Sequence, residues 1–239
     1  MIHRGFLHRI LFLDIETVPL VAHYEALSLK EQELFGKKTR YLRKEGISTA
    51  DFYERAGIWA EFGKVICISA GYFKDAACRE YELRSFYAED ESELLSEFKS
   101  FTEARFSSKS SLFCAHNGKE FDFPYLARRM LINRIVLPDI LNLFGKKPWE
   151  VRHLDTLEMW KFGDYKHYTS LELLTHILGI PSPKDDGISG SEVAHVYYHD
   201  HDIRRIVEYC EQDTIAVTRV YLSFINGGKL LNKQITRAD

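Results

Sequence analysis

Near its N-terminus the chain reads Leu11-Phe12-Leu13-Asp14-Ile15-Glu16-Thr17, an apolar run that ends in two carboxylates two residues apart. Side chains alternate faces along a strand, so Asp14 and Glu16 project from one face, in line with Phe12, and Leu11 and Leu13 from the other. Two acids side by side at the end of a buried strand repel each other and lose hydration. A divalent cation held between them is the most economical relief. A solvated strand end reads the same way, so the pair defines a site only if further acids converge on it from elsewhere in the chain.

At 239 residues, with 45% hydrophobic and 28% charged residues, the composition is that of a globular protein with a substantial core. A single domain over residues 1–239 is expected, with an insertion at about residues 20–63. No apolar stretch approaches a membrane span, and the one before Asp14 is too short for a signal peptide, so a cytoplasmic protein without membrane contact is expected. Cys67, Cys78, Cys114 and Cys210 form no C-x-x-C pair and sit mostly among apolar residues, which reads as buried free thiols. A net charge of -3 does not advertise a polyanion binder, so any such affinity must come from local patches or bound metal.

Strand-like runs fall at Ile10–Asp14, Val65–Phe73, Glu80–Tyr87 and Leu112–Ala115. Helical patterns follow at Glu91–Phe101, Phe121–Leu131, Ser170–Leu178 and Asp202–Phe224, the last with Asp200 or Asp202 as its cap. The order predicts an α/β domain with a mixed sheet flanked by helices. The insertion after the first strand is helical in pattern and highly charged, most basic at Lys37-Lys38-Thr39-Arg40-Tyr41-Leu42-Arg43-Lys44. That run reads equally as a solvated helix face or as part of a grip on a polyanion.

Two further acidic elements carry the argument. Asn117-Gly118-Lys119-Glu120-Phe121-Asp122 follows the strand Leu112–Ala115 and places Asp122 in the first turn of a helix, where the helix N-terminus favours a carboxylate. In the last helix, Tyr209 and Asp213 lie four apart on the face that carries Ile206 and Val217, so Asp213 is turned inward with no basic residue at helical spacing. Asp14, Glu16, Asp122 and Asp213 together are an oxygen-donor set that suits magnesium or manganese better than zinc, and two such ions fit four carboxylates.

Asp14-x-Glu16, then Asn117-x-x-x-Phe121-Asp122, then Tyr209-x-x-x-Asp213 resemble the three motifs of the DEDD superfamily of 3'→5' exonucleases. The second motif is similar to that of family B DNA polymerase proofreading domains. The tyrosine at 209 marks the tyrosine branch; the histidine branch would need His where this chain has Glu208. The resemblance spans about residues 8–224 and is strongest to stand-alone predicted exonucleases related to family B polymerases. It implies a ribonuclease-H-like fold and two divalent cations, Mg2+ or Mn2+, held by Asp14, Glu16, Asp122 and Asp213. It also implies a water oriented by Tyr209, and hydrolysis at the 3' end of single-stranded DNA to 5'-mononucleotides. Thr17, Asn117, Phe121 and Lys184 are the corresponding candidates for substrate contact. An exoribonuclease, or a non-catalytic nucleic-acid binding domain that kept the fold, are the alternatives.

Other features carry less. His195, His199 and His201 with Asp200 and Asp202 read as a polar helix junction, since their spacing forces no convergence. Asp155, at the end of a short apolar run, is either a helix cap or an outer partner of the acidic site. Trp149 and Trp160 are expected in the core.

Overall fold

The computed structural model describes residues 4–164, 166, 168–181, 188–226 and 228–238. From β1 (Ile10–Pro19) the chain runs through α1 (Leu29–Thr39) and α2 (Thr49–Phe52), then returns in β2 (Gly63–Phe73) and β3 (Tyr81–Phe86). α3 (Glu91–Arg105) leads to β4 (Leu112–Ala115), α4 (Asp122–Ile132), β5 (Leu154–Asp155) and α5 (Thr156–Lys161). α6 (Leu171–Ile177), α7 (Val193–His195) and the long α8 (Ile203–Phe224) follow, and β6 (Ile235–Arg237) ends the chain. The six strands lie in the order β5-β4-β1-β2-β3-β6, with β2 antiparallel to its two neighbours and every other adjacent pair parallel. This is the mixed, helix-flanked α/β sheet that the sequence predicts.

The alternation of β1 divides the core. Leu11, Leu13 and Ile15 pack with Leu94, Leu95 and Phe98 of α3 and with Phe123, Leu126 and Met130 of α4. Phe12 faces α8 instead, its ring 5.5 Å from that of Tyr221, and Val18 meets Ile206, Val207 and Cys210. Glu16 is paired with Cys67 and Thr17 with Val65, so Ile66 is an extra residue in β2. The bulge turns Ile66 and Cys67 to the same side, under α8, and bends the sheet just beyond the two acids.

Between β1 and β2 the chain folds on a small aromatic cluster. The Phe35 ring lies 5.3 Å from Tyr53 and 5.1 Å from Phe62. Both of its helices open with a reciprocal cap, Ser28 with Glu31 and Ser48 with Asp51, which fixes where each begins. A buried clamp ties this region to the rest: Arg129 donates to both carboxylate oxygens of Glu91 and, at 2.7 Å, to the Ala60 carbonyl. Glu91 also accepts from the Val65 amide at 2.7 Å and from Asn133 at 2.9 Å.

Several expectations need correction. β1 does not stop at Asp14 but continues to Pro19, because β2 pairs with it along that whole length. α3 runs on to Arg105, and β6 was not foreseen. Trp149 lies not in the core but 77% exposed, on a loop whose Gly145 and Pro148 break any periodicity that would turn it inward. No helix of the described residues is long and apolar enough to cross a membrane.

Candidate active site

Of β1, β4 meets Ile10, Leu11 and Phe12, so β1 outruns it and presents Asp14 and Glu16 past its end. α8 crosses this face, and the Cys210 thiol donates to the Asp14 carbonyl oxygen at 3.3 Å. One ligand atom each from Asp14, Glu16 and Cys210 lie within 4.8 Å of one another.

Electrostatics draws the remaining acids into the same group. Burial raises the Asp14 carboxyl well above the usual range, and the charges of Glu16, Asp213 and Asp122 raise it further, in that order. Asp122 is the first residue of α4 and only 4% exposed. Burial pushes its carboxyl up to about 7, against the pull of its own amide and that of Ile15 on β1. Tyr209 is raised beyond its ordinary range by burial, then by Asp213, Glu16 and Asp14, and its hydroxyl is hydrogen-bonded to Asp213. Three segments therefore bring Asp14, Glu16, Asp122, Tyr209 and Asp213 into one field. With no cation, that field is self-repelling. Divalent cations would relieve it, and an oxygen-rich donor set of this kind fits Mg2+ or Mn2+. Cys210 is the single soft donor in the group, where the sequence suggested only a buried thiol.

The loop that delivers Asp122 is built tightly. Asn117 sits at φ 64°, and the carbonyl of Asn117 accepts from the Phe121 amide at 3.0 Å. A Cβ on Gly118 would come within 2.4 Å of the Ala115 methyl and 2.8 Å of the Phe123 ring, so only glycine fits there. Asp155 accepts from the amides of Asn117 and Lys119, both at 3.0 Å, and also caps α5 through the amide of Leu157 at 2.9 Å. It is both cap and outer partner. Nothing in local spacing reveals this, since the pairing of β4 with β5 is what brings the two segments together.

Of the residues expected to touch substrate, Thr17 is hydrogen-bonded to the Tyr125 hydroxyl, and the Phe121 ring lies 5.2 Å from Tyr125. Thr17 follows Glu16 on β1, Phe121 directly precedes Asp122 at the start of α4, and Asn117 lies in the turn before it. Lys184 lies outside the described residues.

Strand order and flanking helices define an α/β fold of the ribonuclease-H-like class. Residues 58–237 match the model of the family described as "Predicted 3'-5' exonuclease related to the exonuclease domain of PolB", and the chain belongs to that family. The matched residues include Asp122, Tyr209 and Asp213 and leave out Asp14 and Glu16. Among solved structures, the chain is similar to the family B DNA polymerase from the hyperthermophilic archaeon Pyrobaculum calidifontis, with a TM-score of 0.53 at 16% identity. The match covers 91% of this chain and 26% of the polymerase, so the chain spans about a quarter of that protein's length. No curated protein matches the sequence.

Proposed function

We propose that the protein is a metal-dependent 3'→5' exonuclease that hydrolyses the terminal phosphodiester of single-stranded DNA and releases 5'-mononucleotides. The observation that carries this reading is the convergence on Asp14: Glu16, Asp213 and Asp122, from three separate segments, all act on one half-buried carboxyl. Two Mg2+ or Mn2+ ions held by Asp14, Glu16, Asp122 and Asp213 would activate the attacking water and neutralise charge at the phosphate and the leaving 3' oxygen. Burial, and then the charges of Asp213, Glu16 and Asp14, oppose a phenolate at Tyr209. Its hydroxyl therefore positions the water and does not deprotonate it. In this reading Thr17, Asn117, Phe121 and Lys184 would contact the terminal nucleotide.

The test is digestion of end-labelled DNA and RNA, single- and double-stranded, with Mg2+, Mn2+ or chelator. Stepwise loss from the 3' end with 5'-mononucleotide products is expected. Asp14→Ala or Asp213→Ala should lower the rate by several orders of magnitude, as loss of a metal ligand does. Undiminished activity in either variant, or full activity in chelator, would overturn the reading. RNA cleaved in preference to DNA would reassign the substrate and leave the chemistry.

A further inference from the structure

A polyanionic substrate needs cationic contacts outside the acidic site, and three cations of the basic run at residues 37–44 are already engaged. Lys37 is paired with Glu33, and Lys38 with Glu61 at 3.3 Å. Arg43 donates to Thr49 at 2.6 Å, within the same segment. Another surface is better supplied. In residues 142–151 the Phe144 ring is 71% exposed and the Trp149 ring 77%, a large apolar area to leave in water. Lys146 and Lys147 lie between them in sequence, and the Lys147 ammonium sits 5.3 Å from the centre of the Trp149 ring. No ion pair among the described residues occupies either lysine. The loop is shaped by its own bonds: the Lys146 amide donates to Leu143 at 3.1 Å and the Lys147 amide to the Glu150 carboxylate at 2.8 Å.

Phe144, Lys146 and Pro148 of this loop wall an open cleft of about 480 Å³, whose other side is Lys119, Glu120, Pro124 and Arg128, with Lys147 and Trp149 outside its lining. Lys119 and Glu120 belong to the turn that delivers Asp122. The cleft's charged lining mixes Lys119, Arg128 and Lys146 with Glu120 and Glu158, and Lys119 is paired with Glu158 at 2.7 Å. A protein partner would be expected to meet a surface poor in lysine, since lysine is depleted at such interfaces. Exposed rings interleaved with free ammonium groups suit planar bases on a phosphate backbone.

We infer that Phe144 and Trp149, with Lys146 and Lys147 between them in sequence, form a platform on which single-stranded nucleic acid stacks. The inference rests on the proposed exonuclease reading for its choice of substrate. Bases stack on the two rings, and the lysines pair with adjoining phosphates.

The experiment uses the full chain in chelator, where nothing is hydrolysed, titrated with fluorescein-labelled oligothymidylate and oligouridylate at several salt concentrations. Anisotropy reports binding, and quenching of tryptophan fluorescence reports stacking on Trp149. Replacing Phe144 and Trp149 together by Ala should weaken binding roughly 5- to 150-fold for each base that no longer stacks. Trp149→Phe should largely restore it. Lys146→Gln with Lys147→Gln should flatten the dependence of log affinity on log salt by about 0.7 for each phosphate no longer neutralised. Hydrolysis of the p-nitrophenyl ester of thymidine 5'-monophosphate, which fills only the reacting end, should be unchanged in all of these variants when Mn2+ is supplied. Unaltered affinity and salt slope in folded variants would overturn the platform and assign the surface to another partner. Ester hydrolysis without any oligonucleotide binding by the wild type would overturn it too, while leaving the catalytic reading intact. Loss of both would remove the exonuclease reading as well.

Discussion

Asp155 joins two loops that the sequence keeps 38 residues apart. Its carboxylate collects the amides of Asn117, Lys119, Leu157 and Glu158, at 3.0, 3.0, 2.9 and 3.3 Å. An amide in its place has one acceptor oxygen, and its NH2 group would face at least one of these N–H donors. Asp155→Asn should therefore destabilise the fold by about 1–3 kcal/mol, the cost of a buried donor left unpaired. The same change loosens the turn that aims Asp122, so kcat should fall more than KM rises. Denaturant unfolding and steady-state kinetics check the two effects, and a variant with wild-type kcat would confine Asp155 to capping. From sequence Asp155 was legible as a cap or an outer partner but not as both, because the link depends on strand pairing and not on spacing along the chain. Cys210 was hidden for a similar reason. A lone cysteine on an apolar helix stripe looks like core, and only the crossing of α8 over β1 sets it beside Asp14.

The elements themselves were more legible, because their signals are local. β4 follows from its run of apolar residues, and α8 from the Asp202 side chain that accepts the Arg205 amide at 3.1 Å to open it. β6 escaped because three residues carry no periodicity; its pairing with Tyr81, Glu82 and Leu83 is decided by the edge of β3. Trp149 was misplaced because residue type alone favours burial, whereas a Gly- and Pro-containing loop has no apolar face to offer. Also invisible was the Glu91–Arg129 clamp, which joins α3 and α4 to Val65 of β2 and to Ala60. Removing one partner leaves an uncompensated buried charge. Arg129→Met should therefore cost about 3–5 kcal/mol in chemical denaturation, and pairing it with Glu91→Gln should recover part of that loss. Additive losses in the double variant would mean that the two side chains act independently.

At the scale of the whole molecule, the fold gathers acids from positions 14 to 213 and holds them where water alone solvates them poorly. The order of the three motifs was readable; the strength of the field was not, since it arises from the depth at which α8 and α4 bury the group. That field has a consequence for stability. The Asp122 carboxyl is raised from the ordinary carboxylate range to about 7 in the folded protein. A carboxyl with a raised folded pKa favours the native state fully below its unfolded pKa, near 4, and loses that contribution as pH rises through about 7. Without metal, the protein therefore carries a penalty at pH 8 that is absent at pH 4. Asp122→Asn removes the ionisation and should make the metal-free protein more stable than wild type at pH 8, by roughly 4 kcal/mol at most. The advantage should shrink as pH falls toward 4, where the wild-type carboxyl is protonated. Added Mg2+ or Mn2+ should narrow the gap from the other side, by stabilising wild type more than the variant. Thermal unfolding in chelator and in Mn2+ across pH 4–8 measures all three effects. A variant less stable than wild type at pH 8 in chelator would show that Asp122 is held by its backbone hydrogen bonds more strongly than burial opposes it.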